Sequence, residues 1–337
     1  NKIVFVGSDL DAKQFIDSNT KVLDLNGKLM LPGFIDNHVH FISGGLYLLG
    51  IDLRPTNSTT EFRKILKDYV NKYPAKWITG GYWDHEKWEK KDLPTKEMID
   101  DLSPNTPVFV ERLDGHMGLA NSYALKLAGV TKDTESPEGG LIVKDPKTGE
   151  PTGVLKDNAM YFIYNKIPAA TAEENYSAAL AALEESKRLG ITSVQDITFE
   201  DALSTFTNLK DEGKLTCRIF TRWPISDYKS LVEKNIKIGY GDEYIKMGSL
   251  KGFADGSLGS STAWFFERYN QDTTTTGLPM DIITDGSMEK WALDADKNYL
   301  QLSVHAIGDR ANSYMLDLYD KISKQNPKWD RRFRIEH

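Results

Sequence analysis

The sequence predicts an α/β chain built on a parallel sheet of the (β/α)8 TIM-barrel kind, and three observations predict it. After Gly190, short apolar segments ("ITSVQDI", "TCRIFTRW", "YIKMGSLKGFAD", "LQLSVHAIGD", "FRIEH") are interleaved with helical patterns such as "DGSMEKWALDADKN" and "NSYMLDLYDKIS". Strands that alternate with helices pair in parallel. Polar residues gather at the C-terminal ends of these segments, which is the face on which such barrels build their sites. The 337 residues suffice for two domains, or for one barrel with attachments.

Taken in order, "KIVFVG" and "TKVLDLNGKLMLPGFID" are rich in strand formers and punctuated by Gly and Asn-Gly. They predict a small antiparallel unit that leads into a first buried strand. From about residue 50 to 170 the text turns rich in Trp, Tyr, Pro and charge, with short strands in "KWITGGYW" and "PVFVERLD" and turns in "SPEGGLIVKDPKTGEPTG". This stretch reads as an inserted lobe. "TAEENYSAALAALEESKRLG" predicts a helix: Thr171 and Glu174 have capping-box spacing, Tyr176, Leu180 and Leu183 share one face, and Gly190 follows a basic last turn. Neither a phosphate-binding P-loop nor a dinucleotide glycine fingerprint occurs. No export leader is visible, and the abrupt start at Asn1 and stop at His337, on a strand tip, lead us to expect a piece of a longer polypeptide.

Composition narrows the function. A formal charge of −7, with lysines scattered among acids, argues against nucleic acid as a partner and for a small neutral or cationic one. No apolar run approaches the roughly 20 residues that span a bilayer, so no membrane association is expected. The one cysteine, Cys217, allows neither an internal disulfide nor a thiolate cluster, which makes the cytoplasm the expected compartment and leaves nitrogen and oxygen as metal donors. A homo-oligomer is compatible with everything above.

The chain has six histidines. His38 and His40 close the apolar run "LPGFIDNHVH" and, two apart on a strand, face the same side. His305 ends the alternating strand in "LSVHAIGDRAN", and His337 ends "FRIEH". Singly, each reads as a hydrogen-bonded histidine at a loop entrance; together, they are four imidazoles at the tips of three strands that barrel closure gathers round one mouth. Neutral imidazole suits zinc, and with added oxygen ligands also iron, nickel or manganese. Lys251 lies among apolar neighbours in "SLKGFADG", where an ammonium is costly unless paired or chemically altered; the alternative is a strand-edge lysine reaching solvent. If carboxylated by carbon dioxide, it would present a carboxylate able to bridge two metals. In the lobe, His85 of "GGYWDHEKW" and His116 of "ERLDGHMGLANS" either contact substrate or pair with Asp84 and Asp114. Trp83, Trp88 and Trp264 either line a pocket or pack.

In combination these segments resemble the amidohydrolase superfamily, specifically amidohydrolase family 3, the branch that includes N-substituted formamide deformylases. "LMLPGFIDNHVH" is similar to its first-strand signature. "GGYWDHEKW", "DGHMGLANSYAL" and "PTGVLKDNAM" are similar to its long insertion, and "GITSVQDI", "LKGFADGSLGSSTA", "LSVHAIGDRAN" and "RIEH" to its second, fourth, fifth and sixth strands. The resemblance implies a distorted (β/α)8 barrel of the metal-dependent hydrolase type over 30–49 and 171–337, part of a flanking β-sandwich over 1–29, and the inserted lobe over the active site at 50–170. It implies one or two divalent metals, zinc first, with iron or manganese as alternatives. His38 and His40 would ligate one metal, carboxylated Lys251 would bridge, and His305 and His337 would bind the second. Turnover would depend on Lys251 and His305, with Trp83, His85 and His116 as substrate contacts. The expected reaction is hydrolysis of a non-peptide carbon–nitrogen bond, in an amide or N-substituted formamide, by metal-activated hydroxide. A deaminase, or a catalytically silent metal-binding or regulatory protein, would use the same scaffold. The family also carries an Asp at the end of barrel strand eight, whereas this sequence stops after strand six. The barrel read from it is therefore incomplete. Lys156, in the insertion, ranks below Lys251 as the modified lysine.

Overall fold

The computed structural model describes residues 2–337 except 74–75, 138–139, 199, 259–260 and 271–272. Contacts divide it into two units, Asn1–Gly33 and Phe34–His337. In the first, regular structure among the described residues is limited to one helical turn, Asp9–Ala12, capped by Ser8, and a following 3-10 turn, Lys13–Phe15. The expected strands are not formed there. Ile3, Val4, Val6, Val22, Leu23 and Leu29 are between 68% and 86% exposed. A strand's backbone groups need a neighbouring strand to bond, and among the described residues no ladder within this unit supplies one.

The second unit opens with β1 (Phe34–Val39). The chain then leaves to build a separate sheet from β2 (Ile51–Asp52), β3 (Ile78–Trp83), β4 (Val108–Arg112), β5 (Met117–Ala120), β6 (Gly140–Lys144) and β7 (Pro151–Asp157), in the order β2-β3-β4-β5-β7-β6. It returns through β8 (Ile191–Ile197), β9 (Arg218–Pro224), β10 (Ile245–Phe253), β11 (Leu302–His305) and β12 (Arg334–Glu336). With β1 these form a six-stranded sheet in the order β1-β8-β9-β10-β11-β12, every neighbouring pair parallel. The sheet is open, a half-barrel and not a ring, because closing a (β/α)8 barrel takes eight tilted strands.

The helices between these strands follow their apolar spacing. In Asp309–Gln325 the buried residues Ala311, Met315, Leu318, Tyr319 and Ile322 recur at helical intervals and pack on Leu250, Leu302 and Val304 of the sheet. The helix Ala172–Leu189 starts at the capping box of Thr171 with Glu174 and stops at Gly190, whose φ of 74° suits a residue without a Cβ. Leu183 is buried and Tyr176 and Leu180 are partly so, while Ala178, Ala179 and Ala182 bring this helix close to its neighbour Phe41–Leu49. At that crossing a Cβ on Gly45 would lie 1.9 Å from the Ala178 carbonyl oxygen. Gly45→Ala is therefore expected to destabilise the fold by about 3 kcal/mol, read as a lower urea midpoint at unchanged slope. An unaltered midpoint would mean that the two helices are not held so closely. The one cysteine, Cys217, is free and buried beside Leu215 and Ile219. No helix among the described residues is long and apolar enough to cross a membrane.

Candidate active site

Parallel pairing puts the C-terminal ends of β1 and β8–β12 on one edge, and the charged side chains of these strands meet there. His38 lies within β1, while His40 stands one residue past it, at the start of the helix Phe41–Leu49. The ladder with β8 slips between Asp36 and Val39, so the two rings are not simple same-face neighbours; their centres are 6.1 Å apart. His337 joins the group from the other end of the sheet, its ring centre 4.6 Å from that of His38 and 4.7 Å from that of His305. The four strand-tip imidazoles thus form one continuous cluster. Desolvation, then the charges of His38 and Lys251, hold His40 below the usual imidazole range. His337 is lowered in the same way by burial, then by His305, His38 and Lys251, with Glu336 opposing.

Beneath the rings is a buried polar layer. His38 Nδ1 bonds Glu336 Oε2 at 2.5 Å. Glu336 lies 3.0 Å from both Arg222 Nη1 and Arg334 Nε. Arg222 is fully buried; it donates to Gln195 Oε1 at 2.8 Å and to the Asn37 carbonyl, which Arg334 also reaches. Burial acts to raise the Glu336 carboxyl, but the His38 hydrogen bond and the two guanidinium charges together hold it below its ordinary value. Asp196, at the end of β8, accepts from the Phe41 backbone N–H at 2.7 Å and from Thr198 Oγ1 at 2.8 Å, which fixes the turn that carries His40. Asp255 accepts from the backbone N–H groups of Trp264, Ile307 and Gly308 at 2.8, 3.0 and 2.8 Å, tying the loop after β10 to the loop after β11.

Lys251 does not reach solvent: it is 4% exposed, in β10 between Pro224 of β9 and Ser303 of β11. Among the described residues its Nζ has no hydrogen-bond partner, and it sits 4.9 Å from the centre of the Phe253 ring. Burial pulls its pKa down to about 8, reinforced by Arg222 and Arg334 and opposed by Glu336. His305 Nε2 donates to the Gly256 carbonyl at 2.7 Å. Among the described residues, no group of three or more His, Cys, Asp and Glu side chains is set to hold a metal ion as it stands. The rings share a neighbourhood, and two of their nitrogens are taken up by Glu336 and Gly256.

The lobe residues lie apart from this cluster in kind. Trp83 is fully buried, its indole N–H donating to the Val110 carbonyl at 2.8 Å, and it stacks on Trp88 with ring centres 6.1 Å apart. His85 is 7% exposed and meets both indoles edge-on. All three are buried in the lobe; the Trp83 indole N–H finds a carbonyl, whereas among the described residues Trp88 Nε1 and His85 Nδ1 have no hydrogen-bond partner. His116 is exposed; its ring pairs with Asp157 Oδ1 at 2.8 Å, and Asp114 accepts only its backbone N–H. Trp264 lies under the Arg310 guanidinium, 4.6 Å from ring centre to carbon. Lys156 sits in β7, in the second sheet. Sequence reasoning missed Glu336, Arg222, Arg334 and Asp196. The available signal was a charge inside an apolar strand, in "RIFTRWP" and "FRIEH", the same signal that singled out Lys251.

A model of the amidohydrolase family matches residues 21–337. The chain is 38% identical to the Protein LONG AFTER FAR-RED 3 of Arabidopsis thaliana, covering all of this chain and 59% of that protein. It is 25% identical to the N-substituted formamide deformylase of Arthrobacter pascens, covering 100% of this chain and 64% of that one. A crystal structure of an uncharacterized metal-dependent hydrolase from Pyrococcus horikoshii superposes with a TM-score of 0.76 at 27% identity, over 100% of this chain and 64% of that one. The chain thus spans about 60% of the length of the proteins it matches.

Proposed function

The chain belongs to the amidohydrolase family of metal-dependent hydrolases, and on that premise we propose that it hydrolyses a non-peptide carbon–nitrogen bond in a small amide-type substrate, an N-substituted formamide among them, as part of a (β/α)8 barrel with a flanking sandwich. The observation that carries the reading is the convergence of the His38, His305 and His337 rings at the same strand edge as a buried Lys251 amine that has no hydrogen-bond partner among the described residues. An orphaned Nζ in a protein interior is costly, and carboxylation or a bound cation's ligand shell is the kind of partner that relieves it.

The residues fit a divalent ion in donor chemistry. Imidazoles lowered in pKa, as His40 and His337 are, stay neutral at neutral pH, and neutral nitrogen is the form that ligates. His38, His40, Lys251, His305 and His337 would hold one or two such ions, with zinc first among the choices for a nitrogen-rich set and iron or manganese next. When bound, the ion supplies Lewis acidity toward a carbonyl and makes water nucleophilic near neutral pH. This chain's own part is positional. Glu336 fixes the His38 ring through Nδ1 and leaves Nε2 facing away, as a carboxylate behind a ligating imidazole does. Arg222 and Arg334 fix Glu336. A Lys251 amine with a pKa of about 8 is partly unprotonated at neutral pH, so its lone pair attacks carbon dioxide, forming the N–C bond and releasing a proton. Of the lobe residues, exposed His116 is the substrate contact we propose, oriented by Asp157; Trp83 and His85, the other two candidates, are buried in the lobe. A cytoplasmic setting and the absence of nucleic-acid partners belong to the same proposal.

The test is turnover on a panel of N-substituted formamides and amides, with and without a chelator. Chelator-sensitive release of amine and carboxylate is the expected result. Ammonia from an amino-heterocycle would point to deamination, and a metal-loaded protein that turns over nothing would overturn the hydrolase reading.

A further inference from the structure

A cavity of about 210 Å³ lies in the second unit between the helix Phe41–Leu49 and the β2–β3–β4 edge of the lobe sheet. Two tyrosines and a carboxylate dominate its lining: Tyr47 from the helix, Tyr82 from β3 and Glu111 from β4, with the Ser43 and Thr79 hydroxyls beside them. The two tyrosine rings are 4.5 Å apart between centres and inclined by 34°, so they form adjoining walls. Tyr82 reaches this place with a φ of 55°, directly after Gly80 and Gly81 at 82° and 91°. A bulky side chain held in the left-handed region is strained, and such strain recurs where a ligand contact requires it.

Glu111 is the unusual member. It is half-buried; burial raises its pKa, and among the described residues the group that opposes this is the Tyr164 hydroxyl, not a cation. The neighbouring cations are committed elsewhere. Arg54, above the Tyr47 ring, is bound to both oxygens of Asp52 at 2.8 and 2.9 Å, and Arg112 pairs with Asp84 and Asp114. An uncompensated carboxylate facing a cavity with aromatic walls favours a positive guest, through its charge and through the negative faces of the rings.

We propose that this cavity binds a small organic cation, an alkylammonium of about the size of butylammonium, with Glu111 as counter-ion and Tyr47 and Tyr82 as its walls. The inference goes beyond the hydrolase reading and does not rest on it, because none of these residues belongs to the strand-tip cluster.

Calorimetric titration of the protein with butylammonium chloride and, separately, with butanol tests it at low salt. Saturable binding of the cation at least about tenfold tighter than of the alcohol is expected, with a further loss of about tenfold in Glu111→Gln and a smaller one in Tyr47→Leu, both checked for folding by circular dichroism. Equal affinity for cation and alcohol, or no saturable binding of the cation, would overturn the proposal on the wild-type protein alone. An unchanged affinity in folded Glu111→Gln would overturn it as well.

Discussion

His38→Ala is expected to strip the protein of bound divalent metal and to lower its hydrolytic turnover by about a thousandfold or more. The size follows from what the ion contributes, several kcal/mol of charge stabilisation together with a nucleophile at neutral pH. His38 is singled out among the imidazoles because its orientation is the most fully determined: Nδ1 is held by Glu336, and Glu336 is held by Arg222 and Arg334. Glu336→Gln leaves the ring in place with a weaker hold and is expected to cost about 10–100-fold in metal affinity. Elemental analysis of metal per chain reads both. Near two equivalents in the wild type supports a bridged pair of ions, and near one supports a single ion. A folded His38→Ala variant that retains the wild-type metal content would remove His38 from the ligand set.

Lys251→Met is expected to act in opposite directions on function and on stability. Metal content and turnover fall, and added acetate or propionate restores part of both, since a short carboxylate supplies what a carboxylated Lys251 would contribute. The metal-free protein, by contrast, becomes more stable. The amine has its pKa depressed from 10.5 to about 8 by burial, so the folded state binds fewer protons than the unfolded one. The resulting penalty is present in full below about pH 8 and is relieved as pH rises toward 10.5. For a nearly buried group this depression corresponds to about 3 kcal/mol. Urea unfolding of metal-free protein should therefore show the variant ahead at pH 7 and the wild type closing the gap by pH 10. Equal stability at pH 7 would mean that Lys251 finds compensation that its surroundings do not display.

The gathering of histidines at one sheet edge was largely readable from the chain because its evidence is local. Each strand of the parallel sheet is a short apolar run ending in a polar residue, and the tips carrying His38, His305 and His337 stand where that pattern puts them. Less readable was everything that depends on partners distant in the chain. Glu336 and Arg222 look like ordinary charges until β12 and β9 come within reach of β1, and only then does the carboxylate behind His38 exist. Trp83 and His85 show the complementary limit. An aromatic pair beside an acid reads as a pocket, but packing on Trp88 and a hydrogen bond to Val110 give the pair an interior role. The strand pattern in residues 2–33 shows the same limit, since alternation records a preference that only a neighbouring strand can realise.

The bond between His38 and Glu336 joins residues 298 positions apart, near the two ends of the second unit. Closing so long a loop gains nothing until almost all of the intervening chain has ordered, and long-range parallel pairing is intrinsically slow. The contact between His38 and Glu336 therefore forms only after the strands between β1 and β12 have ordered. A metal ion held by these histidines, as proposed, would then report that β1 and β12 have come together, and a chain arrested earlier would present the histidines scattered.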